Sequence, residues 1–370
     1  MSSELGLDGA SVRRRQERLL AQMQALRVDL VIVQQTEHVQ WLCGARYPWT
    51  MTPLAALRAD GHVTLVAPKK PVLETVADEV VTYESQWLST LRNDQRKAAS
   101  EQLVRALGKA PAARRIGVEF SCATAHLDAL GGERVDIEPT LFRLRRRKEP
   151  DELACLRRAI AATGQMYALA RQIVEPGVPE LEVFNRLQAA AVEVCGEPLT
   201  GTGNDYQCGA RGGPARAGRR AQAGELYILD LGPAYRGYFA DNCRTLAVDR
   251  QPTDVQLAAW SHLVDVLRYV EQTVRPGTSC RELFHEVQRR LADAPVGIFN
   301  HHLGHGIGLF PHEAPHLNPH WDDTFEVGDV FTCEPGLYDE QALRAGIRLE
   351  NDYLVTESGV ENLSPFPLEL

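Results

Sequence analysis

Apolar and polar positions in the first third of the chain alternate between two rhythms. Residues 11–26 are polar-amphipathic and predict a helix. Asp29-Leu30-Val31-Ile32-Val33 and His62-Val63-Thr64-Leu65-Val66 are short β-branched runs and predict strands. Lys97 to Leu107 returns to helical character, and Arg115-Ile116-Gly117-Val118-Glu119 predicts a further strand. Helix and strand in turn make an α/β layer. Past residue 150 the pattern changes. Two helical stretches near 151–174 and 179–194 precede a strand-rich region, and a second helical pair follows near 254–274 and 279–292. No internal repeat is evident. The pattern divides the chain into an N-terminal α/β domain over residues 1–142, a linker over 143–150 and a second domain over 151–370.

Composition narrows the class. A chain of 370 residues is long enough for two buried cores, and its net charge of −9 gives no global attraction to nucleic acid or anionic membranes. No apolar run approaches membrane-spanning length, and Arg13-Arg14-Arg15 is not followed by an apolar signal core. The basic run Arg143 to Lys148 reads as a solvated linker and helix start. No GxGxxG or P-loop supports a nucleotide role. None of the eight cysteines forms a Cys-x-x-Cys pair, which points to free thiols in a reducing cytoplasm. Cys243 and Cys333 lie beside acidic candidates and read as core packing.

Chemistry concentrates in the C-terminal half. In Ile228 to Thr245, apolar residues flank a Pro/Gly-containing middle, which predicts a hairpin turning near Tyr235-Arg236, with Gly237 free to take positive φ and Asp230 opposite Asp241. Between Asn300 and Glu313, His301, His302, His305 and His312 fall among alternating glycines, although the chain has only 11 histidines. Glu334 closes an apolar strand just before Pro335-Gly336. Gly346 to Val355 alternates like a strand, with Arg348 and Glu350 on one face. Asp230, Asp241, His305, Glu334 and Glu350 together offer an oxygen-rich ligand set with one imidazole. Four carboxylates carry about −4, which two hard or borderline divalent cations balance. The donor set favours Mn²⁺, with Co²⁺, Fe²⁺ or Zn²⁺ as alternatives.

In this order and at these spacings the four segments resemble the creatinase/aminopeptidase P/prolidase family of metallopeptidases, and are most similar to its short Xaa-Pro dipeptidase-like members. Trp41-Leu42-Cys43-Gly44 and Arg143 to Leu153 resemble the family's N-terminal and interdomain segments. The resemblance implies a pita-bread α+β catalytic domain behind the α/β domain, a homodimer and a dinuclear hydrolase that cleaves Xaa-Pro bonds by a metal-bridged hydroxide. It implies that Asp230 binds one ion, that Asp241 and Glu350 bridge both, and that His305 and Glu334 complete one site. It also implies that Glu334 shuttles the proton of the attacking water, that His301 lies near the substrate and that His312 protonates the leaving amine. Tyr338 and Arg348 would orient the ligand carboxylates.

One departure stands out. The family's peptidases carry a histidine upstream of the first ligand, whereas here no histidine occurs between His126 and His262. The corresponding stretch, Tyr206 to Arg220, offers Arg211 or Arg216 as the substrate-binding donor. The alternative is a hydrolase or lyase for a small non-peptide metabolite on the same metal site.

Overall fold

The computed structural model describes residues 8–108, 113–203 and 205–370. The chain divides into two compact units, Met1–Arg145 with Glu149–Asp151, and Arg146–Lys148 with Glu152–Leu370.

The first unit opens with helix α1 (Gly9–Leu26), whose first turn is capped by the Asp8 carboxylate accepting from the Ala10 and Ser11 backbone N–H groups. Strand β1 (Leu30–Val33) and helix α2 (Thr36–Cys43) follow, then β2 (Leu54–Arg58), β3 (Val63–Pro68), β4 (Glu79–Tyr83) and a short hairpin of β5 (Gln86–Trp87) and β6 (Thr90–Leu91). Helix α3 (Gln95–Leu107), β7 (Arg115–Val118), β8 (Glu133–Asp136) and α4 (Glu138–Arg146) complete it. The main sheet runs β4-β3-β2-β1-β7-β8. Its centre is antiparallel and its outer pairs β3/β4, β1/β7 and β7/β8 are parallel. Apolar β1 and β3, buried at every residue, are the centre of an α/β layer.

The basic run is not the solvated linker expected from its charge. Arg143 to Arg146 are the last turn of α4, and Arg145, Arg146 and Lys148 are buried. Each has a partner in its own unit. Arg145 Nη1 lies 2.9 Å from His38 Nε2, Arg146 binds Asp329 at 2.6 Å, and Lys148 Nζ lies 3.4 Å from Glu313. A buried cation needs such a partner, and a run of like charges does not reveal it.

The second unit begins with helices α5 (Pro150–Ile173) and α6 (Glu180–Cys195) and strands β9 (Asp205–Cys208), β10 (Leu226–Leu231), β11 (Ala234–Tyr235), β12 (Tyr238–Phe239) and β13 (Asn242–Ala247). Helices α7 (Asp254–Thr273) and α8 (Cys280–Ala292) come next, then β14 (Gly304–Gly306), β15 (Glu313–Leu317), β16 (Val330–Cys333), β17 (Gly336–Leu337), β18 (Ile347–Arg348), β19 (Asn351–Val355) and β20 (Val360–Asn362). One antiparallel sheet runs β13-β10-β9 and another β15-β14-β16-β19-β20. Leu263, Leu267 and Val287 of the second helix pair share a core with Phe331 and Tyr353 of the larger sheet. From α5, Tyr167 donates to the Asn242 carbonyl at 2.5 Å.

A repeat is present after all. The turn between α5 and α6 and the turn between α7 and α8 each hold a Pro-Gly step, Pro176-Gly177 and Pro276-Gly277, with the glycines at φ 95° and 89°. Around them Gln172, Val174, Glu182 and Phe184 recur as Gln272, Val274, Glu282 and Phe284. The repeat escapes a sequence scan because only a few scattered positions around the two turns coincide.

Two strand expectations shift. In the hairpin, Tyr235 pairs with Tyr238, so the loop is Arg236-Gly237, with φ of 50° and 88°. A two-residue turn of this hand needs positive φ at both positions, and Gly237 supplies the second without strain. Asp230 consequently faces Cys243 rather than Asp241. The alternating run 346–355 is interrupted. It is β18 and β19 separated by Leu349 and Glu350, whose N–H groups donate to the Pro335 and Cys243 carbonyls at 3.2 and 2.9 Å.

Candidate metal centre

Asp230 lies near the end of β10, opposite Cys243 of β13 on one side and Asp205 of β9 on the other. Asp241 immediately precedes β13. Although the register offsets the two acids, their carboxyl groups are close enough for each to shift the other's titration. His305 is the middle residue of β14, between two glycines that the packing demands. A Cβ at Gly304 would run into the Thr332 carbonyl, and one at Gly306 into that of Ala314. His305 Nε2 comes within 3.7 Å of Asp241 Oδ2 and 3.5 Å of Glu334 Oε1. Glu334 follows β16 and is fixed by its N–H donating to the Leu303 carbonyl at 2.8 Å.

Among the described residues, two groups bring potential ligand atoms within 4.8 Å of one another: Asp241 with His305 and Glu350, and His301 with His302 and Glu334. The His305–Glu334 approach joins them into one pocket, and Asp230 adjoins it beside Asp241. His301 Nε2 also lies 3.0 Å from the Tyr338 hydroxyl. The His312 ring stacks on that of His305, with centroids 3.7 Å apart.

The electrostatics of this pocket fit cations. Burial, with the charges of Asp205 and Glu334 and against that of Arg348, raises Asp230 to about 6. Burial and the neighbouring carboxylates hold Asp241 and Glu350 well above the usual carboxylate range. Glu350 Oε2 is buried without a hydrogen-bond partner. Burial lowers His305 to about 3, which leaves its imidazole neutral and able to ligate. Glu334 goes the other way. Burial pushes it up, but the hydrogen bond from His302 and the nearby imidazoles outweigh this and take it to about 2. Like charges this close need a proton or a metal, and an oxygen-rich set with one neutral imidazole suits hard or borderline divalent ions.

Arg348 Nη2 donates to Asp230 Oδ2 at 2.7 Å and also pairs with Asp205, while Nη1 donates to the Tyr338 hydroxyl at 3.2 Å. Of the two candidate arginines, Arg211 lies on the Tyr338 ring, its Cζ 4.0 Å from the centroid. Arg216 is held elsewhere, donating to buried Glu180 at 2.6 Å and to the Cys208 carbonyl at 2.8 Å. It is therefore corrected to a structural partner of Glu180. A buried carboxylate binds a guanidinium more strongly than a solvated cleft can.

Three participants were not anticipated. His302 donates to Glu334 at 2.8 Å, Asp205 pairs with Arg348, and Asp352 Oδ2 accepts from the Asp241 N–H at 3.4 Å. His302 carried a signal in the clustered histidines. Asp205 carried none, because its partner is 143 residues away. All eight cysteines are free, and Cys243 and Cys333 are fully buried in accord with core packing.

Two sheets, two helix pairs and a buried carboxylate-histidine pocket define the class: a protein of the pita-bread fold with a candidate metal centre. The chain belongs to metallopeptidase family M24, whose model matches residues 154–357, and residues 15–146 match the creatinase/prolidase N-terminal domain. An uncharacterized peptidase of Staphylococcus aureus is 28% identical over 237 residues, 62% of this chain and 66% of that relative, just under two thirds of its length. The probable dipeptidase PepE of Mycobacterium tuberculosis is 32% identical over 275 residues, 71% of each chain. The Xaa-Pro dipeptidase of Bacillus anthracis shares the fold, with a TM-score of 0.81 at 23% identity, covering 97% of this chain and 99% of that one. Among the described residues no helix is long and apolar enough to cross a membrane.

Proposed function

We propose that this chain is a metal-dependent dipeptidase that cleaves Xaa-Pro bonds. The observation that carries the reading is the convergence of Asp230, Asp241, His305, Glu334 and Glu350 on one buried pocket. The kinship to a probable dipeptidase and the prolidase-type N-terminal domain support the choice of substrate. These five residues would hold two divalent ions, Mn²⁺ first by donor hardness, and the ions supply Lewis acidity and a nucleophilic water at neutral pH.

The chain's own groups do the rest. Glu334, kept ionised, accepts the proton of the attacking water, and its hydrogen bond from His302 aims it. Proline leaves as a secondary amine whose nitrogen must gain a proton, and His312, stacked on His305, is placed to deliver it. Tyr338 and Arg348 orient Asp230 and His301. The eight free thiols support a reducing, cytoplasmic setting.

The test is turnover of a dipeptide panel by protein purified with Mn²⁺, with and without a chelator. Metal-dependent cleavage of Xaa-Pro members is expected, and Glu334→Gln should lower kcat by about 10²-fold or more. Protein that binds no divalent ion, or a Glu334→Gln variant as fast as the parent, refutes the reading.

A further inference from the structure

Arg244 of β13 is fully buried, and its guanidinium is enclosed by neutral oxygens. Nη1 donates to the Cys243 and Glu350 carbonyls at 2.8 and 2.5 Å. Nη2 donates to Asn351 Oδ1 at 2.8 Å and to the Ser364 and Phe366 carbonyls at 3.3 Å each. Nε donates to the Pro367 carbonyl at 3.0 Å. Arg220, Arg250 and Arg275 also donate to carbonyls, but they lie exposed. Only a guanidinium carries enough donors in one plane to serve this many acceptors, and every nitrogen of Arg244 is engaged.

The acceptors belong to two sides. One is the backbone of the metal pocket. Glu350 lies between β18 and β19, so no strand ladder holds it. Its N–H donates to the Cys243 carbonyl at 2.9 Å, and that carbonyl and its own both accept from Arg244. The Tyr167 ring centroid is 5.5 Å from Arg244 Cζ, and its hydroxyl donates to the Leu229 and Asn242 carbonyls at 3.1 and 2.5 Å. Leu229 precedes Asp230 and Asn242 follows Asp241. The other side is residues 364–367, which pass over the guanidinium. The Phe366 ring centroid lies 5.8 Å from Arg244 Cζ and 6.1 Å from the Tyr167 centroid. Gly164 of α5 makes room for this ring, because a Cβ there would lie 2.6 Å from Phe366 Cε1.

We propose that Arg244 is a positioning residue for the metal centre, and that residues 364–367 are the latch that holds it there. The inference rests on the reading that Asp241 and Glu350 ligate metal, and not on the identity of the substrate. The guanidinium is rigid and planar, so anchoring Nε and Nη2 on the latch fixes Nη1 against the Glu350 carbonyl. A ligand outside regular strand pairing would otherwise be ordered only when the ion arrives, and the lost entropy would weaken metal binding. Displacing the latch should therefore loosen the ions without touching any ligand.

Calorimetric titration of metal-free protein with Mn²⁺ alone is the test. Gly164→Ala is the informative variant, because alanine favours the helix while its methyl group displaces the Phe366 ring. It should weaken Mn²⁺ binding several-fold with helical content kept. Phe366→Ala should match it, and the double variant should lose no more than either alone, since both release the same latch. Arg244→Met should weaken binding by about 10–100-fold, the range for groups that orient metal ligands. Arg244→Lys, which keeps the charge without the planar fork, should recover only part of that loss. The latch variants keep the test open if Arg244→Met does not fold. In dipeptide turnover, kcat of Gly164→Ala should return to the parent value at saturating Mn²⁺ with KM unchanged, which a general loosening of the fold would not give. Parent-like Mn²⁺ affinity in both latch variants, or losses that add in the double variant, overturns the proposal. Parent protein that takes up no Mn²⁺ defeats the metal reading and this inference together, whereas a parent that binds Mn²⁺ and cleaves no dipeptide defeats only the peptidase reading.

Discussion

Glu350 illustrates how much of the pocket's energy lies in single side chains. It is 1% exposed, its backbone is tied to the Cys243 carbonyl, and Oε2 has no partner. Burial first, then Asp241 and Asp230, holds its carboxyl well above the usual range. A raised folded-state pKa means that the native state keeps a proton the unfolded chain has lost, so stability falls as pH rises toward that value. Replacing the acid by an amide removes this cost. In chelated protein Glu350→Gln should therefore raise stability by about 1–3 kcal/mol near pH 8, with the gain shrinking toward about pH 4.5, where the parent acid is already protonated. Asp241→Asn should behave alike, while both abolish activity and metal binding. Thermal melts across pH, with metal analysis, check this. A gain that does not depend on pH, or full metal content in both variants, contradicts it.

At the scale of elements, the connection from β14 to β15 sets the position of His312. Glu313, the first residue of β15, accepts from the Phe310 N–H at 2.9 Å and lies 3.4 Å from Lys148 Nζ, with both side chains nearly inaccessible, at 3% and 1%. Gly308 must lack a Cβ because that atom would meet the Glu313 carboxylate. Removing one partner of a buried ion pair leaves the other charge less compensated. Lys148→Met should lower stability, by less than the roughly 3–5 kcal/mol of a fully unpaired buried charge. Adding Glu313→Gln, which keeps an acceptor for Phe310 and removes the charge, should recover more than half of this loss. Denaturant titrations of the four proteins in the cycle measure the coupling. Strictly additive losses would show that the pair does not hold the loop.

At the scale of the molecule, the ligands all belong to the second unit, whereas the first has its own core of Leu30, Ile32, Val66 and Leu103. Ligand binding stabilises only what must be folded to bind, by about 2.7 kcal/mol at a hundredfold excess over Kd. Mn²⁺ should accordingly slow backbone hydrogen exchange in peptides covering 226–247, 300–317 and 330–355. Peptides covering 30–33 and 63–68 should exchange as in chelated protein. Mass-spectrometric exchange with and without Mn²⁺ reads this directly, and equal protection in both units is the adverse result.

The elements and the acids were legible in the chain itself. Helical spacing, β-branched runs, Pro-Gly steps and the glycines around His305 act over a few neighbours, so α1, α3, β1, β3, β7 and both later helix pairs appear near their expected positions, and Gly237 marks the turn that brings Asp230 and Asp241 together. Register and partnership belong to the tertiary structure. Cys243 rather than Asp241 faces Asp230, the run from Gly346 breaks at Glu350, and the basic run is buried, because each outcome depends on a backbone or charge distant in sequence. Arg211 and Arg216 look alike in the chain, and only packing ties Arg216 to Glu180 and leaves Arg211 on Tyr338. Arg348 and Asp230 are 118 residues apart, and no local rule of spacing reaches that far. The sequence alone determines which residue types and local shapes are available, since these are short-range steric and solvation preferences. Which charges meet is decided when the sheets pack, since burial makes every unpaired charge costly and the fold settles on the pairing that leaves fewest.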